Sequence, residues 1–272
     1  MTIEGIELER RGQVAVVTFN RPDRMNSFNE HMWDELERVV SDLKGDLPRA
    51  VVVTGAGDRA FCAGFDVNPD NPQISGLIEA VLNHERAPVE RMIRRIRTAV
   101  DGLVFLPVPV IAALNGIAFG GGAELALRCD IRIADPTTVI SFSEVRLGLM
   151  PDWGGGVALT RVAGPAVAAD LVLSARRVGA EEALRLGIIN RISGPGMARE
   201  EALELGQVIA KQGPRAVRHA LRVIRRTPDL PIEDALDLET EEAVTLIASG
   251  ECYHGIEAFL SKKDARFPDP DR

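Results

Sequence analysis

Hydrophobic positions along the chain follow two rhythms. Val14–Phe19 (VAVVTF), Ala50–Thr54 (AVVVT) and Val108–Leu114 (VPVIAAL) are short, continuous apolar runs rich in β-branched residues. Such runs predict strands covered on both faces. Ile6–Arg10, Ile131–Ala134 and Val139–Phe142 predict further short strands. Between them the helical rhythm takes over. In Asn29–Leu43 the residues Met32, Leu36, Val39, Val40 and Leu43 fall at helical spacing, and Ser27 or Asn29 is available as a cap. Arg86–Val104 predicts a long helix with Met92, Ile93, Ile96, Val100 and Leu103 on one side. Helices are also predicted over 165–174, 180–186, 198–211, 214–226, 233–249 and 254–263. Residues 68–78, rich in Pro, Asn and Gly, read as a loop. Alternation of strands and helices gives way to helices alone near residue 200. This predicts an α/β core over 1–200 and a helical C-terminal segment over 201–272.

Charge and cysteine usage narrow the functional classes. The formal net charge is −8 over 272 residues, a poor match to nucleic acid, which requires clustered Lys and Arg. The three cysteines, Cys62, Cys129 and Cys252, are far apart and form no metal-ligand spacing. Neither disulfides nor a bound metal are expected. The N-terminus carries charge throughout and no 18-residue apolar run occurs, so the expectation is a cytoplasmic protein that neither is secreted nor spans a membrane.

Three segments carry candidate chemistry. In Asn115–Asp130 a predicted strand ends at Leu114, and Gly120-Gly121-Gly122 precede a helix expected to start near Ala123. Glycine lets successive N–H groups point into one space, and a helix N-terminus adds a partial positive charge. Together they suit a developing oxyanion. Glu124 falls in the first turn of that helix. The nucleotide fingerprints GxGxxG and GxxxxGK[ST] are absent. In Phe142–Gly156, Glu144 is expected in or just after a short strand among Ile140, Phe142 and Val145, surroundings that raise a carboxyl pKa. Asp152 follows Pro151 and precedes Trp153 and three glycines. In Ala60–Val67 (AFCAGFDV) a second N–H donor is available beside Gly64, Asp66 reads as a turn cap, and Cys62 reads as a buried filler. Each segment alone reads more readily as plain structure than as catalysis.

Taken together, they resemble the enoyl-CoA hydratase/isomerase (crotonase) superfamily. The resemblance runs from NRPDRMNS through AFCAGFDV, PVIAALNGIAFGGGAELALRCDIRIA and FSEVRLGLMPDWGGG to ALRLGIINRI and GIEAFLSKK. It implies a spiral of ββα turns with a helical C-terminal segment that packs in a trimer, often a dimer of trimers. It implies an acyl-CoA thioester substrate, with coenzyme A arriving on the substrate and no separate cofactor. The thioester oxygen would be held by the N–H groups of Phe65 and Gly121, and Glu124 and Glu144 would carry the proton transfers of a hydratase. Arg24, Met25 and Ala63 match positions that contact coenzyme A. Asp66, Gly120, Asp152 and Trp153 are candidates for the substrate side, and Lys262 or Lys263 for phosphate contacts from a neighbouring subunit. Asp152 stands where simple hydratases usually have Gly, while crotonobetainyl-CoA hydratases resemble this chain in having both glutamates and an Asp. The alternatives are a double-bond isomerase working through Asp152 or Glu144, and a non-catalytic acyl-CoA- or RNA-binding relative.

Overall fold

The computed structural model describes residues 5–269. Two sheets grow side by side because most β-units of the chain give one strand to each. The larger sheet has six strands in the order β1 (Gly5–Arg11), β2 (Val14–Asn20), β3 (Ala50–Gly55), β5 (Val110–Leu114), β7 (Ile131–Ala134) and β10 (Arg191–Ile192). The smaller has β4 (Ala60–Cys62), β6 (Ile117–Phe119), β8 (Val139–Ser141) and β9 (Val178–Gly179). Pairing is parallel from β2 to β10 and from β4 to β8, with antiparallel pairs only at β1–β2 and β8–β9. Chain order β3–β4, β5–β6 and β7–β8, each pair split between the sheets, is a ββα spiral.

The apolar runs are buried on both faces, as their composition requires. Val51 and Val53 join a core with Trp33, Leu36, Val100 and Leu103 from α1 (Glu30–Gly45) and α3 (Arg86–Val104). Ala50 and Val52, their alternate neighbours, face Ala198, Ala202 and Ala210 of α8 (Ala198–Ala210). Period-two alternation thus serves two apolar layers rather than one apolar and one polar face. Asn29, not Ser27, caps α1 by accepting from the Met32 N–H at 3.0 Å.

The predicted loop over 68–78 is corrected: Pro72–Leu82 is a helix, α2. Asn71 caps it, with Pro72 in its first turn where a missing N–H costs nothing. Gly76 and a single buried residue, Ala80, hide the periodicity. The helix expected near Ala123 begins at Gly121 (α4, Gly121–Arg128). A helix the pattern did not predict, α5 (Gly155–Ala163), starts inside the triple glycine. It is followed by α6 (Pro165–Ser174) and α7 (Ala180–Arg185). The C-terminal helices are α9 (Pro214–Arg226), α10 (Ile232–Ala248) and α11 (Glu251–Leu260). No helix among the described residues is long and apolar enough to cross a membrane.

Candidate active site

Three turns at one end of the smaller sheet converge. The first follows β4. Gly64 has φ +88°, a region closed to most side chains, and a Cβ placed there would lie 2.8 Å from the Gly121 nitrogen. The Ala63–Phe65 turn therefore lies against the start of α4. Phe65 forms an isolated parallel bridge with Phe28 in which its neighbours make the hydrogen bonds: Phe28 N–H donates to Gly64 O at 2.8 Å and Asp66 N–H to Phe28 O at 2.9 Å. The Phe65 N–H is left without an acceptor among the described residues, and so is the Gly121 N–H. They are the two N–H groups that the sequence resemblance singles out. Ala63 N–H donates to Met25 O at 3.0 Å, which brings the Arg24–Met25 turn beside the same edge. Arg24 pairs at the surface with Asp70.

The second turn is the start of α4. Glu124, wholly buried in its first turn, accepts three backbone hydrogen bonds from one loop. Asp152 N–H donates to Oε1 at 3.2 Å, and Trp153 N–H and Gly155 N–H donate to Oε2 at 2.9 and 2.7 Å. Any side chain on Gly155 would collide with Glu124, which is why the middle glycine of the three opens α5. Gly121 is equally constrained, because the indole of Trp153 lies against it.

The third turn is a 3₁₀ turn after β8, Glu144–Leu147, so Glu144 sits past the strand rather than in it. Its carboxylate lies over Gly120, with Oε1 3.6 Å from where a Cβ on that glycine would be. Both oxygens are shielded from solvent and neither has a hydrogen-bond partner among the described residues. An unpaired buried acceptor is costly. Here the cost falls on a carboxyl that titrates together with Glu124.

Electrostatics follow from this crowding. Burial is the main cause that raises the pKa of Glu124, opposed by the Gly155 N–H and reinforced by Glu144 and Asp152. Burial likewise raises Glu144. Asp152 rises to about 6, first through desolvation and then through repulsion from Glu144, although it stays open to solvent on one side. Repulsion among the three carboxylates is present but secondary to burial. Glu124 and Glu144 are close enough to titrate as a unit. Three N–H donors favour charge on Glu124, more than the single backbone N–H, its own, that favours it on Glu144, so a single shared proton belongs on Glu144.

The remaining candidates lie apart from the facing glutamates or behind them. Asp66 does not face the site: it is buried in an ion pair with Arg21 and accepts from the Asn68 N–H at 3.0 Å. Burial would raise its pKa, but the Arg21 and Asn68 hydrogen bonds outweigh that and hold it low. Trp153 is also interior, edge-on to Trp33 and Phe28; it shapes the site from behind. Lys262 and Lys263 lie exposed just beyond α11, which packs on α10, and are not brought to the glutamates within this chain. Cys62 is buried, its thiol pushed up to about 12 by desolvation, and is inert. The Arg21–Asp66 pair and the loop N–H donors were not anticipated. Their partners stand 45 and about 30 residues apart, and only the proximity of RPD and GFD to their turns hinted at them.

Residues 9–270 match the family model described as enoyl-CoA hydratase/isomerase. The chain is 34% identical to the short-chain-enoyl-CoA hydratase of Clostridium acetobutylicum, covering 97% of each chain. It is 31% identical to the carnitinyl-CoA dehydratase of Escherichia coli K12, over 96% of this chain and 97% of that one. The crystal structure of an enoyl-CoA hydratase from Bacillus anthracis superimposes with a TM-score of 0.87 at 31% identity, covering 96% and 98% of the two chains. The chain therefore belongs to the enoyl-CoA hydratase/isomerase family and has its crotonase fold.

Proposed function

We propose that this protein adds water reversibly across the double bond of a 2-enoyl-CoA, giving the 3-hydroxyacyl-CoA. The observation that carries this reading is the facing pair Glu124 and Glu144, both with raised pKa, beside two free N–H donors. The thioester oxygen accepts from the N–H groups of Phe65 and Gly121. Negative charge grows on that oxygen as the enolate forms, so these donors favour the transition state over the substrate, each by roughly 3 kcal/mol. Glu124 takes a proton from water as its oxygen bonds to Cβ. Glu144 delivers its proton to Cα. The proton gained by Glu124 then restores Glu144, and dehydration runs the same steps backwards. The reaction is redox-neutral and its charge is handled by N–H donors and carboxyls, so the reading calls for no metal or redox cofactor. Coenzyme A comes as part of the substrate, bound near Arg24, Met25 and Ala63.

The assembly proposed is a homotrimer or hexamer in the cytoplasm. Val244, Ile247, Ile256, Phe259 and Leu260 of α10 and α11 are all exposed, an apolar surface that suits a subunit contact. Lys262 and Lys263 would then serve a neighbour's site.

One observation favours a second reading. Asp152, with pKa near 6 and no ion-pair partner among the described residues, is suited to shuttling a proton in a double-bond isomerase. The experiment is to supply crotonyl-CoA and a 3-enoyl-CoA to the same preparation and compare rates. Rapid loss of the crotonyl-CoA absorbance, faster than isomerisation, supports the hydratase. Dominant isomerisation with only trace hydration contradicts it.

A further inference from the structure

Glu124 and Arg128 lie four residues apart on one face of α4, and both reach the 152–155 loop. Glu124 accepts the N–H groups of Asp152, Trp153 and Gly155. Arg128 donates to the carbonyl oxygen of Trp153 at 2.8 Å, through a side chain that is only 7% exposed. The same loop is thus gripped by its N–H groups at one end of the helix and by a carbonyl at the other. Arg128 is itself oriented. Its second nitrogen donates to Asp101 of α3, its guanidinium lies 5.3 Å from the centre of the Phe105 ring, and its stem packs against Gly154, where a Cβ would sit 3.1 Å from Cδ. Gly154 has φ +97°, so the loop bends sharply at the point where Arg128 holds it. Arg97 shares Asp101 from the solvent side.

We infer that Arg128, aligned by Asp101, is a positioning residue: by fixing the Trp153 carbonyl it aims the loop's three N–H groups at Glu124 and so sets which of the two glutamates carries the charge. The reasoning is geometric. A peptide unit is rigid, so a carbonyl held by Arg128 fixes the Trp153–Gly154 peptide, the link between the Trp153 and Gly155 N–H groups that bond Glu124. Hydrogen bonds to an ionised carboxylate are sensitive to length and angle. Releasing the carbonyl lets the loop rock and weakens the donors together. The other charged groups acting on Glu124 are Glu144 and Asp152, and both raise its pKa. β4, β6 and the first turn of α5 bring no charged side chain to it. Nothing else on those elements replaces the lost donors.

The kinetic part of the test rests on the hydratase reading, and the spectroscopic part does not. Arg128→Met is compared with the unaltered protein after thermal melts confirm folding. Asp101→Asn, a milder change at a half-buried position, serves if Arg128→Met does not fold. In crotonyl-CoA hydration Arg128→Met lowers kcat by about 10- to 100-fold, as expected for a small misplacement of a catalytic group. KM changes less than about threefold, because the thioester donors are untouched. Fewer effective donors make Glu124 easier to protonate, so the acid limb of the kcat profile moves to higher pH. Independently of turnover, the infrared carboxyl band that disappears in Glu124→Gln titrates at higher pH in Arg128→Met. A smaller shift in the same direction follows in Asp101→Asn. A folded Arg128→Met protein whose Glu124 band titrates as in the unaltered protein overturns the inference, whatever its activity. A loss of kcat with an unmoved pH profile overturns it too, since that reports a smaller active fraction. If the unaltered protein fails to hydrate crotonyl-CoA but the band shifts, the positioning role stands and the hydratase reading falls.

Discussion

Glu124 and Glu144 are the same residue type at the two sides of one site, yet their surroundings share little. The region around Glu124 is interior: α4, Trp153 and a glycine-bent loop enclose it, and three N–H groups meet its carboxylate. The region around Glu144 is an outer 3₁₀ turn. It leaves both oxygens of that carboxyl without a hydrogen-bond partner among the described residues, and it runs into Leu147, Leu149 and Met150, all more than half exposed. On the proposed mechanism, environment rather than residue identity divides the labour. A carboxyl surrounded by donors is kept ready as a base, and one deprived of them is kept ready as an acid. On the same mechanism, the apolar rim beside Glu144 is the side on which substrate, rather than backbone, completes the site.

Neutralising either member should break the contrast most severely. Glu124→Gln and Glu144→Gln are near-isosteric, and each removes one proton transfer. Hydration should fall by a factor of ~10²–10⁴ in either variant, measured as turnover of crotonyl-CoA by folded protein. Near-normal turnover in one of them would leave the pair mechanism without support.

The next effect is selective. Asp152 contributes its N–H to Glu124 through the backbone, a bond that Asp152→Gly retains. Crotonyl-CoA hydration should therefore stay within about fivefold of the unaltered rate, while preference among acyl groups shifts. Side-by-side assays on crotonyl-CoA and a 3-enoyl-CoA check this. Loss of a dominant isomerisation with hydration spared would instead assign Asp152 the proton shuttle. A parallel attempt to delete the Gly121 donor with proline is uninformative here. The new ring would strike Trp153, and lost activity would report lost packing.

The smallest effect concerns stability. Burial raises the folded-state pKa of Glu144 above its unfolded value. For a carboxyl shifted in that sense, the folded state binds the proton more tightly. The full stability is present below the unfolded pKa and is lost as pH rises through the folded pKa. Glutamine stays neutral and loses none of it. Glu144→Gln should thus melt like the unaltered protein near pH 4 and roughly 2 °C higher near pH 9. Calorimetric scans showing the same difference at both pH values would contradict an unpaired, ionisable Glu144.

How far the sequence reveals this arrangement depends on where each constraint acts. β2, β3 and α3 are legible because their signals are local: an unbroken apolar run, or Ile96, Val100 and Leu103 at helical spacing. α2 and α5 are not, because Pro72, Gly76 and the triple glycine look like breakers. Asn71 turns Pro72 into a helix start, and Gly155 is required by contact with Glu124, both reasons that lie in the folded context. The glutamates and glycine turns are legible as motifs. Their environments are not, since the donors to Glu124 come from about 30 residues away and Arg128 gains its role only from a tertiary contact. Asp66 shows the same limit: its turn bond to the Asn68 N–H is local, but its buried partner Arg21 stands 45 residues away along the chain.

The most direct test of the shared-proton pair is the pH dependence of kcat for crotonyl-CoA hydration. Turnover needs one proton on the pair, Glu124 charged and Glu144 neutral. The account predicts a bell whose alkaline limb falls well above the ordinary carboxylate range, where burial has moved the last proton of the pair, and an acid limb where Glu124 is protonated. A rate that rises through the ordinary carboxylate range and then stays flat to pH 10 would mean that no shared proton is lost, and would contradict it.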